Sequence, residues 1–169
     1  MKVIITGGSC SGKTTLINEL RKRGNYCLDE VARNILTLKK NFDRENIQKL
    51  IFEKQIELEK GIDNHLTFLD RGLVDNYAYY YHKNNFPDFV KSFDYKKRYN
   101  HVFLLERFPF ENDGLREEKN DAEAECIHEK IREAYSYFGY DIIEVPKMIV
   151  GQRVNFVLSY IKDLKGGVK

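Results

Sequence analysis

Cysteine is scarce in this chain. Cys10, Cys27 and Cys126 are odd in number, and no two of them form a Cys-x-x-Cys pair. That excludes a disulfide framework and a thiolate zinc site, and a reducing compartment is expected. Only three prolines occur in 169 residues. With no Pro- or Gly-rich linker, internal repeat or low-complexity tract, one domain over residues 1–169 is expected. No apolar run approaches the roughly 18 residues of a membrane span. Met1-Lys2 leads straight into an apolar strand with no signal peptide, so the expectation is a cytoplasmic protein. Neither sign of charge dominates: 28 basic residues face 26 acidic ones, a net charge of +2. A dedicated nucleic-acid surface is therefore not expected. Tryptophan is absent, but 11 Tyr and 11 Phe are available for a core, in a chain that is 42% hydrophobic and 32% charged, as soluble globular proteins are.

The most informative stretch is Gly7-Gly8-Ser9-Cys10-Ser11-Gly12-Lys13-Thr14, which directly follows the apolar run Val3-Ile4-Ile5. It has the spacing Gly, any four residues, Gly-Lys-Ser/Thr of a phosphate-binding loop between a strand and a helix. Glycines let backbone N–H groups converge on phosphate oxygens with no Cβ in the way. A helix starting near Gly12 aims its unpaired N–H groups and dipole at the same anion. Lys13 has the reach for the β- and γ-phosphates, the Thr14 hydroxyl suits Mg²⁺, and Thr15 extends the loop. A nucleoside triphosphate is the expected ligand. Cys10 within this loop either feels a field favouring thiolate or is simply a small residue in a tolerant position.

Periodicity organises the rest. Helical spacing runs from Lys13 through Leu16, Ile17 and Leu20 to the stop at Gly24. Tyr26-Cys27-Leu28 reads as a second strand, Val31 to Lys39 and Arg44 to Lys60 as helices, and Leu66 to Leu69 as a third strand. His101 to Leu105 and Asp141 to Val145 complete five strands, with helices through Ala124–Phe138 and Val154–Leu164. Short strands alternating with helices imply a parallel sheet covered on both faces, with ligands beyond the carboxyl ends of the strands. The clusters Gly7–Thr14, Asp29-Glu30, Asp70-Arg71 and Glu106-Arg107 all fall at such ends.

Each cluster admits more than one role. Asp70 suits a water of the Mg²⁺ shell, or caps a helix beginning near Gly72. Glu30 or Asp29 suits the carboxylate that takes a proton from an attacking hydroxyl, or either caps the next helix. Arg33, one turn on, faces the crevice or solvent. Arg71 binds the transferred phosphate, or pairs with Asp29 or Glu30 across the strand ends. The segment 106–118 lacks periodicity and carries Arg107 and Arg116, which fits a lid bringing cations to the γ-phosphate; the region is also acidic enough to be a solvated face. Nine aromatics lie between Tyr77 and Tyr99. They form a stacking pocket for a flat acceptor, with Tyr77 as the candidate, or they pack on the core. Lys96-Lys97-Arg98 is a solvated face or a contact for an anionic partner such as a lipid headgroup.

With these residues assembled, the sequence resembles the NadR-type AAA-domain family of phosphate-loop proteins, relatives of ribosylnicotinamide kinase and, more distantly, of deoxynucleoside kinases. The resemblance rests on Ile5-Thr6-Gly7-Gly8, Asp29-Glu30-Val31-Ala32-Arg33, Phe68-Leu69-Asp70-Arg71-Gly72-Leu73, His128-Glu129 with Glu133-Ala134-Tyr135, Gly139-Tyr140, Val145-Pro146 and Arg153. It implies an α/β fold with a five-stranded parallel sheet of order 2-3-1-4-5. It also implies Mg²⁺-ATP or Mg²⁺-GTP binding, Glu30, Arg33, Asp70 and Arg71 at the active crevice, and Arg153 near the nucleotide. With no ring-forming arginine-finger region or helical lid domain, a monomer or homodimer is expected. The first functional reading is a kinase acting on a small hydroxylated acceptor; the second is a nucleotide-dependent switch that engages a protein or an anionic lipid. Glu106-Arg107-Phe108-Pro109 stands where a GTPase carries Asn-Lys-x-Asp, which favours ATP over GTP.

Overall fold

The computed structural model describes residues 1–38, 44–62, 65–83, 86–111 and 118–166. Its centre is β1 (Lys2–Thr6), followed by α1 (Lys13–Lys22), β2 (Tyr26–Leu28), α2 (Val31–Leu38) and α3 (Arg44–Lys60). The chain continues through β3 (Thr67–Asp70), α4 (Leu73–His82), the short α5 (Asp88–Lys91), β4 (His101–Leu105), α6 (Asp121–Tyr137), β5 (Ile142–Val145) and α7 (Val150–Gly166). The five strands form one sheet of order β2-β3-β1-β4-β5 with every pairing parallel. This is the architecture expected from the alternation of strands and helices.

Two layers cover the sheet because successive side chains of a strand point to opposite faces. Val3 and Ile5 pack with Leu16, Ile17, Leu20, Val154, Val157 and Ile161 of α1 and α7. Ile4, between them, joins Leu73, Val74, Ala78, Ile127, Ile131 and Tyr135 of α4 and α6. The register pairs Ile5 with Asp70, Thr6 with Leu104 and Leu28 with Leu69. The loops leaving β1, β2, β3 and β4 therefore emerge on the same side of the sheet.

The aromatic run serves the core. Tyr77 packs against Tyr81, Phe86, Tyr95, Tyr137 and Phe138, and Phe52 meets Phe89, Phe93 and Tyr95. The expectation that Tyr77 binds an acceptor is corrected on this ground: its ring is taken up between α4 and α6. Arg98 of the basic cluster is likewise drawn into the fold. Its guanidinium reaches Glu59, a fully buried residue, at 3.1 Å. Glu59 also accepts from Tyr99 Oη at 2.8 Å and from Gln55 at 2.9 Å.

Arg98 is the cation that balances this buried charge. Removing one partner of a buried pair costs about 3–5 kcal/mol. Arg98→Met is expected to lower the unfolding free energy by an amount near the bottom of that range, and Glu59→Gln in the same chain is expected to recover part of the loss. Equal stability of Arg98→Met and the parent protein in urea titration contradicts this account.

Candidate active site

The phosphate loop is shaped by two backbone demands. Gly7 sits at φ +140°, and a Cβ there would lie 2.8 Å from the Leu105 carbonyl. Gly12, at φ +80°, turns the chain into α1, a left-handed conformation that side chains disfavour. Between them, side chains from distant parts of the sequence hold the loop from behind. Arg107 Nε donates to the Ser9 carbonyl at 3.0 Å and Arg153 Nη1 to the Ser11 carbonyl at 2.6 Å. Gly8 N–H donates to His128 Nδ1 at 3.1 Å. Carbonyls that would repel an anion are thereby turned outward and neutralised.

Ser9, Cys10, Ser11, Gly12, Lys13, Thr14 and Thr15 line a crevice of about 1110 Å³. Gly7 and Gly8 shape the loop without lining it, and the Gly8 amide is committed to His128 rather than to a ligand. Lys13 Nζ donates to the Gly8 carbonyl at 2.9 Å and to Ser11 Oγ at 3.3 Å. Burial, reinforced by the Arg71 charge, lowers its ammonium to about 8, against the opposing pull of Asp70, Glu30 and Asp75.

The neighbouring strand ends supply the acids. Asp70 closes β3 and accepts from Thr14 Oγ1 at 3.1 Å through Oδ2. Its other oxygen, Oδ1, is buried with no hydrogen-bond partner. Burial raises this carboxyl to about 6 even though Lys13 pulls the other way. Among the described residues, a hydroxyl and a carboxylate with one unsatisfied oxygen are the donor set that Mg²⁺ and its water shell would complete. The helix-capping alternative for Asp70 does not hold. Gly72 is the N-cap of α4, and its amide is held by Asp75 Oδ2 at 2.9 Å.

Glu30 lines the crevice and accepts from Arg71 Nε at 2.8 Å. Burial works against its charge, yet Arg71 and Lys13 outweigh that and hold the carboxyl below the ordinary range. Asp29 turns away instead, pairing with Arg21 at the end of α1 with 58% of its side chain exposed. Adjacent residues leaving a strand point to opposite sides, so only one of the two faces the crevice. The expectation that Asp29 binds an acceptor is corrected accordingly. Arg33 lines the crevice one turn beyond Glu30.

Two further placements differ from expectation. Arg107 is 7% exposed and spends its guanidinium on Ser9, Asp121 and Glu125. It is a strut behind the loop rather than a lid cation. Arg153, 3% exposed, holds Ser11, Pro146 and Glu106 carbonyls and lies 4.9 Å from the Phe108 ring centroid. It lines the crevice chiefly by fixing its wall. Arg116 lies outside the described residues. The lid segment that is described is pinned to the loop: Phe108 N–H donates to the Cys10 carbonyl at 2.9 Å and Glu111 N–H to Cys10 Sγ at 3.1 Å.

Among the crevice residues that sequence reasoning did not single out are Asp75 and Glu118, and it named Tyr79 only as one of nine aromatics. Tyr79 Oη donates to Glu118 at 3.1 Å, and Glu118 is only 4% exposed. Arg71 stands 5.3 Å from the Tyr79 ring centroid. Asp75 and Tyr79 stand one helical turn apart on one face of α4, a signal that reading Tyr77 to Tyr99 as one aromatic block conceals. Glu118 carries no such signal. It is brought in by the fold.

The chain matches the AAA domain family over residues 2–153. No curated protein matches it. Among solved structures it is similar to NadR in complex with NR at TM-score 0.71 and 18% identity, covering 99% of this chain and 52% of that one. It is similar to deoxyadenosine kinase from M. mycoides at TM-score 0.68 and 15% identity, covering 97% and 100%. Shikimate kinase from Aquifex aeolicus follows at 0.59 and 19%, covering 96% of each chain.

His128 lends the site a pH dependence. Burial lowers its imidazole below the ordinary 6.5, and Nδ1 must stay unprotonated to accept the Gly8 amide. Below pH 6.5 the unfolded chain takes up a proton that the folded one resists, so stability falls as pH drops through that window and is fully present above it. His128→Asn, which keeps an acceptor but cannot titrate, is expected to flatten the melting-temperature profile between pH 7 and 5. An unchanged slope in His128→Asn removes the assignment.

Proposed function

The chain belongs to the AAA domain family, and with that premise we propose that it is an ATP- and Mg²⁺-dependent kinase that transfers the γ-phosphoryl group to a small, hydroxylated, nucleoside-like acceptor. One observation carries the reading: Glu30, a carboxylate held charged by Arg71, faces the same crevice as Lys13 and the phosphate loop. A protein that only binds or slowly hydrolyses a nucleotide needs no such group beside the phosphates. Similarity to a deoxyadenosine kinase and to NadR with NR supports a nucleoside-like acceptor.

The residues divide the work as follows. Lys13 leaves the Gly8 carbonyl and Ser11 hydroxyl for the β- and γ-phosphate oxygens when the triphosphate enters. Thr14 and Asp70 would hold Mg²⁺, which would supply charge neutralisation for the phosphates. Phe108, Met148 and Ile149 offer an apolar wall for the base. On the opposite wall Tyr79 and Glu118, with Arg33, Gln48 and Asn76, offer donors and acceptors for acceptor hydroxyls. Glu30 takes the proton of the attacking hydroxyl as its oxygen bonds to the γ-phosphorus and the bond to the bridging oxygen breaks, releasing ADP. Two carboxylates on that wall, Glu30 and Glu118, disfavour an acceptor that already carries a phosphate.

A coupled assay of ADP release with Mg²⁺-ATP and a panel of ribo- and deoxynucleosides tests the reading. At least one nucleoside is expected to accelerate release. Lys13→Ala is expected to lower the accelerated rate by about 100-fold or more. Glu30→Gln is expected to keep ATP affinity while losing about 100- to 10,000-fold in transfer. Transfer at the normal rate by Glu30→Gln defeats the base assignment, and a panel with no accelerating member defeats the kinase reading.

A further inference from the structure

Asp75 is almost completely buried, at 1% exposure, yet it carries a charged-type side chain that the proposed transfer does not use. Its carboxylate gathers four donors from three parts of the chain. Thr6 Oγ1, at the end of β1, donates to Oδ1. Tyr135 Oη, on α6, donates to Oδ2 at 2.7 Å, and the Gly72 amide at the head of α4 donates to the same oxygen at 2.9 Å. Arg71 Nη1 stands 3.5 Å from Oδ1.

A helix cap alone needs one of these contacts. The other three connect the strand before the phosphate loop, the α6 layer and the guanidinium that holds Glu30. Arg71 is itself in an unusual conformation. Its φ of +71° is in the left-handed region, which costs a residue with a side chain about 1–3 kcal/mol and persists only where the surroundings impose it. Here the imposition is explicit. The Arg71 amide donates to the Ile5 carbonyl at 3.0 Å, Asp75 holds the next amide, and the guanidinium is spanned between Glu30 on Nε and Asp75 on Nη1. With those two nitrogens engaged, Nη2 makes no hydrogen bond among the described residues, and the side chain lines the crevice.

We infer that Asp75 is a positioning residue that acts through Arg71: anchored by Thr6, Gly72 and Tyr135, its carboxylate fixes the guanidinium so that Nε keeps Glu30 oriented and Nη2 meets the γ-phosphate. The inference rests on the proposed kinase reading and adds to it the γ-phosphate contact of Arg71. Asp75 touches neither nucleotide nor acceptor in this account. It converts a flexible arginine into a fixed fork, because a guanidinium gripped at two of its three nitrogens has little freedom left for the third.

The test uses the full chain and two probes, Mg²⁺-ADP and Mg²⁺-AMP-PNP, with affinities measured by calorimetry. The ratio of the two affinities reports the γ-phosphate contact alone. Arg71→Gln is expected to lower the AMP-PNP preference about tenfold, the worth of one hydrogen bond to a charged group, with ADP affinity unchanged. Asp75→Asn, which keeps shape but loses the charge, is expected to give the same loss, and the double variant no more than Arg71→Gln alone. A general structural role for Asp75 moves both nucleotides together and leaves the ratio intact. If Arg71→Gln lowers the ratio and Asp75→Asn does not, or if the two losses add, the inference falls while the kinase reading stands. If Arg71→Gln itself leaves the ratio unchanged, the phosphate role of Arg71 is wrong and the inference goes with it. Should Asp75→Asn fail to fold, Tyr135→Phe removes one anchor and keeps the charge. A partial fall in the ratio that vanishes in the Arg71→Gln background supports the inference, and no fall overturns it.

Discussion

A loop that is to receive phosphate must present N–H groups inward and dispose of the carbonyls that alternate with them. The structure depends on how that disposal is done. Ser9 and Ser11 carbonyls are handed to Arg107 and Arg153, two arginines that enter from β4 and α7 with most of their surface buried. Neutral His128 accepts the Gly8 amide from α6. Three elements on the far side of the sheet order thus converge on three loop residues, Gly8, Ser9 and Ser11. The loop is preorganised before any ligand arrives, the condition under which dipoles act at little reorganisation cost.

The same economy explains the acid side. A parallel sheet with β1 between β3 and β4 brings Thr14 and Glu30 to one crevice with Asp70 buried behind Thr14, and burial then raises Asp70 while Arg71 and Lys13 keep Glu30 charged. Two carboxylates at neighbouring strand ends acquire different character from different neighbours, the general route by which one site obtains distinct roles from one residue type. Asp70 keeps one oxygen unsatisfied; Glu30 is held by Arg71 at the crevice wall. Charge of both signs is packed closely enough that none of the groups can be read in isolation.

Much of the fold was legible in advance because hydrophobic period and glycine position are local. The five strands, their parallel sense and the phosphate loop follow from runs such as Val3-Ile4-Ile5 and His101–Leu105 and from the Gly-Lys-Thr spacing, whereas the order of the strands came from the family resemblance. Strand boundaries shifted by about one residue, as at β3, where the strand runs on to include Asp70. The arginines were the least legible. Arg107 in a non-periodic stretch after β4 has the sequence context of a lid cation, and nothing local reveals that Asp121 and Glu125 on α6 claim its guanidinium. Tyr77 and Tyr79 stand two residues apart in a single aromatic run, yet a helical turn sends one to the core and the other to the crevice.

The sequence by itself determined that a phosphate-type loop would form and where. A strand, a glycine-bearing turn and a helix starting at Lys13 are consequences of neighbouring residues, and so is the exit of Glu30 and Asp70 from strand ends. Tertiary structure alone decided which of Asp29 and Glu30 faces the ligand and that Arg107 and Arg153 brace the loop. It alone decided that Asp75 gathers donors from Thr6, Gly72, Arg71 and Tyr135. Those outcomes depend on side chains separated by up to 142 residues meeting in a buried, low-dielectric space, where an unpaired charge is costly and the partner is chosen by geometry rather than by position in the chain.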